Sequence, residues 1–388
     1  MTGTAAARLA AILIAAAASA PAAAAGANFP RMTADGPEQV IFDWATDRCA
    51  ATDIPDAPAR AFRDEGGRIH LLATHEDNRA FLGPDFDRLA HPCAVIYQGG
   101  HNSDPSRFDD RQWLTSFLTD DGRTIYALVH NEFQGDRRPG LCPSRKYLAC
   151  WYNAITSARS EDGGFSFSEP AAPANIVAAP PAPYQADAGH PVGYFQPTNI
   201  VRKDGFYYFM FLATAAGAQP GGVCVARTAT PADPASWRAW DGTGFTVRLA
   251  GAYYDSDGTP DICAPVGKGR LFEMSSLAYD RTSGLFVYLG AVSVGAGDAR
   301  HPRGAYVSTS RDLVTWSEPV RIFLSPPLDR QGFRYGLFSL IDETSAARDF
   351  SEISSYGSLY LYYVKFDLGR QPYGRILAKR KIELVPPS

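Results

Sequence analysis

The stretch Ser308–Pro319, STSRDLVTWSEP, has the layout of a tight β-hairpin. A strand-like run ends in small hydroxyl residues, the chain turns at Asp312, and a strand resumes through Trp316. The turn aspartate can accept backbone N–H groups two residues on, and the aromatic can pack beneath the turn. Two other stretches repeat the plan: Ser157–Pro170, SARSEDGGFSFSEP, and Arg227–Trp240, RTATPADPASWRAW. Repeated antiparallel units that carry a recurring aromatic are the sequence mark of a β-propeller. The alternative is three unrelated hairpins in an all-β protein.

Outward from these hairpins, strand pairs recur around Asp- and Gly-bearing turns. Ala59–Phe62 is expected to pair with Ile69–Thr74, Trp113–Phe117 with Thr124–His130, and Thr198–Val201 with Phe206–Leu212. Ser275–Tyr279 with Leu285–Gly290, and Ser339–Asp342 with Ser358–Val364, follow the same plan. The expected fold is therefore all-β, a five-bladed β-propeller in a single domain spanning 26–388. In the second, third and fourth units the hairpin follows and completes four strands. The first unit lacks it, and Cys93–Gln98 is its expected outer strand. Arg375–Leu384 is the outer strand of the last, and Val40–Phe42 is expected to pair into that blade and close the ring.

Residues 1–25 carry one early Arg8, an apolar core around Leu9–Ala18 and small-residue cleavage options, the pattern of a secretory signal peptide. The apolar core is shorter than the roughly 20 residues that span a bilayer, so the expected location is secreted or periplasmic. The 19 Tyr and 22 Phe favour strands, and 35 Gly with 29 Pro leave little room for long helices. A formal charge of −4 carries no basic excess, which argues against nucleic-acid and anionic-membrane partners. Six cysteines in an exported chain are most simply paired, as Cys142–Cys150, Cys49–Cys93 and Cys224–Cys263. No Cys-x-x-Cys pair supports a zinc site, and no cofactor is expected beyond an optional structural Ca²⁺ in the channel. The protein is expected to act as a monomer.

In a propeller, ligands sit at one mouth of the central channel, which the inner strands line. Asp56, held between Pro55 and Pro58, precedes the first inner strand and is a candidate catalytic carboxylate, with a turn cap as the alternative. His130, Asn131 and Glu132 follow an apolar strand, where burial costs several kcal/mol unless partners exist. Glu132 is the second candidate carboxylate. Asp342, in SLIDETS, is the third, to orient a neighbour or tune its proton affinity; capping the following turn is the alternative. Arg60, Arg79, Arg227 and Arg334 are candidates to hold carboxylates or bind sugar hydroxyls. Trp151, Tyr152 and Asn153, with Tyr194, Phe195, Gln196 and Asn199, mix aromatic faces with amides, as sugar sites do.

Taken together, the repeated units, the acids near inner strands and SRDLVTWSEP resemble the five-bladed propeller glycoside hydrolases of families 43 and 32, the arabinanases, xylosidases and fructosidases. SEDGGFSF is similar to the Asp-box of sialidases, and PARAF faintly to their early arginine strand. The resemblance implies a glycosidic-bond hydrolase with an acid near the start of the first and third blades and an Asp in the second. Asp56 matches the first position, whereas the third blade opens with YFQPTN and has no carboxylate there. Two-carboxylate hydrolysis by Asp56 and Glu132 is thus one expectation, and an inverting reaction would need them about 6.5–9.5 Å apart. A carbohydrate-binding propeller without catalysis is the other. A polysaccharide lyase using His130, or a sialidase-like enzyme, is the remaining alternative.

Overall fold

The computed structural model describes residues 29–254, 261–267, 271, 273–292, 301–326, 332–354 and 357–385. The proposed signal segment, 1–25, lies outside them. Strands dominate, and the only α-helix among the described residues is Trp44–Asp47. No described helix is long and apolar enough to cross a membrane.

Among the described residues the antiparallel ladders follow one another along the chain, the second and third being joined into one ten-stranded sheet by Val192–Phe195, which pairs with Trp151–Ser160 and Phe206–Ala213. Arg60–Arg63, Ile69–Leu72 and Phe81–Gly83 form the first. Arg111–Leu118, Ile125–Gln134, Trp151–Ser160 and Ile176–Ala178 form the second. Val201–Lys203, Phe206–Ala213, Gly222–Thr228, Arg238–Trp240 and Phe245–Val247 form the third. Glu273–Asp280, Leu285–Val292, Gly304–Ser310 and Val320–Leu324 form the fourth. In the fifth, Phe333–Asp342, Leu359–Asp367 and Arg375–Lys381 are joined on the outer side by Gln39–Asp43 from near the other end of the chain.

The core is not one central mass but a set of apolar seams between neighbouring groups. Phe62 and Leu72 share a cluster with Leu114, Phe117 and Val129. Leu128 and Ile155 share another with Phe209, which extends to Leu277 and Tyr288. Val287 and Leu289 join Phe338, Leu361 and Tyr363. Ile341, Tyr362 and Val364 then join Ala61 and Leu71, so the last sheet packs against the first. A closed ring of sheets packed face to face is a propeller, and closure buries the apolar faces that separate sheets would expose.

The hairpins show why the turn sequences repeat. Ser310 Oγ accepts the N–H of Leu313 at 2.8 Å, and Asp312 Oδ1 accepts those of Val314 and Thr315 at 2.9 and 2.7 Å. Trp316 is buried below, its Nε1 donating to the Leu313 carbonyl at 3.0 Å. In the copy at Ser160, the hydroxyl accepts from Gly164 at 2.8 Å, and Asp162 Oδ1 from Phe165 and Ser166, both at 3.0 Å. The Arg227–Trp240 copy is looser: Asp233 caps a short 3₁₀ turn over Pro234–Ser236 before Trp237 reaches the core.

The three disulfides are Cys49–Cys93, Cys142–Cys150 and Cys224–Cys263, the expected pairs. Three expected elements differ. Thr198–Val201 is not the third inner strand, because Val201–Lys203 forms the antiparallel ladder, while Thr198 meets Met210 outside it, its N–H donating to the Met210 carbonyl and its Oγ1 accepting the Met210 N–H, both at 2.9 Å. Cys93–Gln98 forms no strand and touches its blade through an isolated bridge, Asn78 to Tyr97. Thr124–His130 is too short, since this strand runs to Gln134 and carries His130, Asn131 and Glu132 inside its ladder.

Candidate functional site

A cavity of about 540 Å³ opens at one end of the ring. Its polar wall comes from strict strand alternation. Arg111, Trp113 and Thr115 on one strand, and His130, Glu132 and Gln134 on the next, all line it because residues two apart share a face. The register sets Arg111 opposite Glu132 and Trp113 opposite His130, and Gln134 opposite Trp151. Asn131 points away and accepts the Asp110 N–H at 3.4 Å, so it is not a site residue.

A chain of hydrogen bonds holds Glu132. Glu76 accepts from Arg111 Nε, and Arg111 Nη1 donates to Gln134 Oε1 at 2.6 Å. Gln134 Nε2 donates to Glu132 Oε2 at 2.7 Å, and His130 Nε2 lies 3.0 Å from Glu132 Oε1. The Gln196 N–H donates to His130 Nδ1 at 3.1 Å. That bond requires a lone pair on Nδ1, so the ring proton sits on Nε2 and points at Glu132. Both ring nitrogens are thereby engaged. Burial alone would raise the Glu76 carboxyl, but the Arg111 guanidinium overcomes this and holds it below the usual range.

Asp56 lines the same cavity. It accepts from Arg375 Nη1, and His75 Nε2 stands 3.7 Å from its other oxygen. Burial pushes the His75 imidazole down, and the nearby Asp56 and Glu76 do not restore it. Glu132 and Asp56 thus face one space with different hydrogen-bond partners, the Arg375 guanidinium on Asp56, and Gln134 and His130 on Glu132, with Arg111 standing opposite Glu132.

Gln196 reaches the cavity through a local backbone device. Val192–Phe195 runs parallel to Trp151–Ser160, with Gly193 beside Asn153. At Gly193, φ is 131°, and a Cβ there would meet the Asn153 carbonyl oxygen at 2.1 Å. Only glycine fits that approach. Gly193→Ala is expected to cost on the order of 1–3 kcal/mol and to loosen the Gln196–His130 bond; denaturant titration beside ligand binding checks both.

Of the residues nominated from sequence, Asp56, His130, Glu132, Trp151, Gln196 and Arg334 meet at this cavity. Tyr152 faces away, donating to the Ala182 carbonyl at 3.0 Å, because it alternates with Trp151. Asn153 is buried behind the wall, its side-chain amide 3.0 Å from His130 Nε2. Asn199 is buried and lies outside the lining.

Arg227 is held between the rings of Phe206 and Phe245, at 4.4 and 4.5 Å, as structural packing. Arg60 is buried, donating to Ser339 Oγ at 2.9 Å, with burial pushing its guanidinium down to about 9. Asp342 does not reach the cavity. Its oxygens accept the N–H groups of Thr344 at 3.0 Å and of Ser354 and Ser358 at 3.1 Å, so it organises a turn.

Glu76, Arg111, Gln134, Tyr147 and Arg375 line the cavity and were not nominated from sequence. Period-two alternation from Glu132 points to Gln134, while Arg375 arrives from a distant outer strand and has no local signal. Tyr147 belongs to the loop closed by Cys142–Cys150 and stacks on Trp151 at 4.7 Å, with the ring planes 24° apart. Cys142→Ser/Cys150→Ser is expected to leave the protein folded, at a cost of about 2–3 kcal/mol. It should weaken ligand binding through Tyr147, an effect that calorimetric titration would read.

Among the described residues, two clusters offer metal-type donors, Cys49, Asp53 and His91, and Cys142, Cys150 and Asp187. Each includes a disulfide-bonded sulfur, which is not the thiolate a metal binds.

The ring of sheets, with a polar cavity lined from several of them, defines a β-propeller. A glycosyl hydrolase from Bacteroides ovatus shares the fold at TM-score 0.50 and 10% identity, over 92% of this chain and 97% of that one. The α-L-arabinanase of Cellvibrio cellulosa aligns at 0.47 and 12%, over 84% and 91%. Sucrose-6-phosphate hydrolase from Lactobacillus gasseri aligns at 0.48 and 12%, over 89% of this chain and 65% of that one. No protein-family model and no curated sequence matches the chain.

Proposed function

We propose that the chain is an exported glycoside hydrolase that cleaves a glycosidic bond in this cavity. The observation that carries the reading is that Asp56 and Glu132 line one cavity, each fixed by its own partners. Asp56, beside a guanidinium, is the base that takes a proton from the attacking water. Glu132, held by Gln134 and His130, gives its proton to the leaving oxygen as the bond from the anomeric carbon breaks. Gln134 and His130 set the direction of the Glu132 carboxyl, and the Tyr147–Trp151 pair supplies an aromatic face for a sugar ring. No step requires a cofactor or a second subunit.

Incubating the purified protein with a panel of polysaccharides, with analysis of the released sugars, tests the reading. New reducing ends in at least one case are expected, and none across arabinan, xylan, fructan and acidic glycans would overturn it. A second reading, carbohydrate binding without catalysis, is favoured by Gln196, because an amide stands where the family resemblance implies an acid. Saturable binding on the same panel without any product would select it.

A further inference from the structure

Among the groups lining the cavity are three carboxylates, Asp56, Glu76 and Glu132, and four guanidinium groups, Arg111, Arg137, Arg334 and Arg375. Two of the four are committed: Arg375 pairs with Asp56, and Arg111 with Glu76. Arg137 and Arg334 have no carboxylate partner among the described residues. Both are exposed at the rim, and they come from different sides of it: Arg137 follows the strand that carries Glu132, and Arg334 lies on the first strand of the fifth group. Arg334 lines the cavity and is held over the Phe366 ring at 4.4 Å. The chain as a whole carries a formal charge of −4, so this local positive surplus does not follow from composition.

A guanidinium presents paired donors that match a carboxylate, and such charge-assisted bonds are about twice as strong as neutral ones. A neutral arabinan or xylan would leave both rim arginines on water. We propose that the cavity takes an anionic glycan, with Arg137 and Arg334 receiving the carboxylates of uronic-acid residues on either side of the bond presented to Asp56 and Glu132. This rests on the reading that the cavity holds a glycan and names its class.

The test uses matched probes: oligogalacturonate, alginate oligosaccharides and glucuronoxylan fragments, each beside the same material with its carboxylates reduced to alcohols. Neutral arabinan fragments and a sulfated galactan complete the set. Binding is measured by titration calorimetry at low and at physiological salt, with product release followed separately. At least one carboxylate-bearing probe should bind about tenfold or more tightly than its reduced form, with the preference shrinking as salt rises. Arg137→Ala and Arg334→Ala should each remove most of that preference, and Arg334→Lys should retain part of it. Circular dichroism confirms that these surface variants are folded.

Equal binding of acidic and reduced probes overturns the proposal, as does a preference that both alanine variants leave intact. Tight binding confined to the sulfated galactan overturns the carboxylate assignment. Hydrolysis of arabinan alone, with no acidic probe bound, overturns the proposal while sustaining the glycosidase reading. No binding of any glycan overturns both.

Discussion

Glu132→Gln, and separately Asp56→Asn, are expected to lower kcat by about a hundred- to ten-thousandfold, the usual effect of removing a positioned acid or base. Both changes preserve size and keep one acceptor oxygen. In Glu132→Gln the amide oxygen still accepts from His130 or Gln134, while the other contact is lost, because Gln134 is held by Arg111 and cannot turn without breaking that bond. KM should therefore move little while kcat falls, which marks the loss of an interaction specific to the transition state. Asp342→Asn is the contrasting case: its carboxylate serves the N–H groups of Thr344, Ser354 and Ser358, so stability should fall by about 1–3 kcal/mol with kcat unchanged. Full turnover in either active-site variant would remove the assignment of Asp56 and Glu132.

The second large effect is structural. Trp316→Ala should cost about 3–5 kcal/mol, the range for emptying a buried aromatic site. Trp316 is 2% exposed, packs edge-on against Tyr288 at 5.6 Å and closes its turn through Leu313. Urea unfolding measures the loss, and a change below about 1 kcal/mol would mean that this tryptophan does not anchor its hairpin. The same turn gives stability a pH dependence. Burial alone would raise the Asp312 carboxyl, but the N–H groups of Thr315 and Val314 outweigh it and hold the group below its ordinary value of 3.8. A lowered folded value means that the contribution is complete above about pH 4–5 and is lost as pH falls through the folded value. Asp312→Asn should flatten that acid limb of the stability curve.

Asp312 and Trp316 were legible in the sequence because turn chemistry is local: a hydroxyl, an Asp two residues on and an aromatic specify a hairpin without help from the rest of the chain. Asp56 and Glu132 were legible for a related reason, since each sits beside a strong local signal, two prolines in one case and a buried strand in the other. Alternation was the signal left unused. It separates Trp151 from Tyr152 and Glu132 from Asn131, and it leads from Glu132 to Gln134. Asp342 and Arg227 show the opposite limit, because a carboxylate that caps a turn and one that lines a cavity are the same letter. Arg375 was illegible in principle: it meets Asp56 only after the ring has closed, and no neighbour in sequence announces that.

Closure also sets an order in time. Gln39–Asp43 is among the first strands to be synthesised, yet its partner, Arg375–Lys381, is among the last, and pairing so distant in sequence is slow to form. The late strand opens with Arg375, whose guanidinium holds Asp56. Shutting the ring and fixing Asp56 are therefore one event, and a nascent or truncated chain that has not reached Arg375 carries Asp56 without its partner. On the proposed function, such unfinished chains would be inert until the last strands are in place.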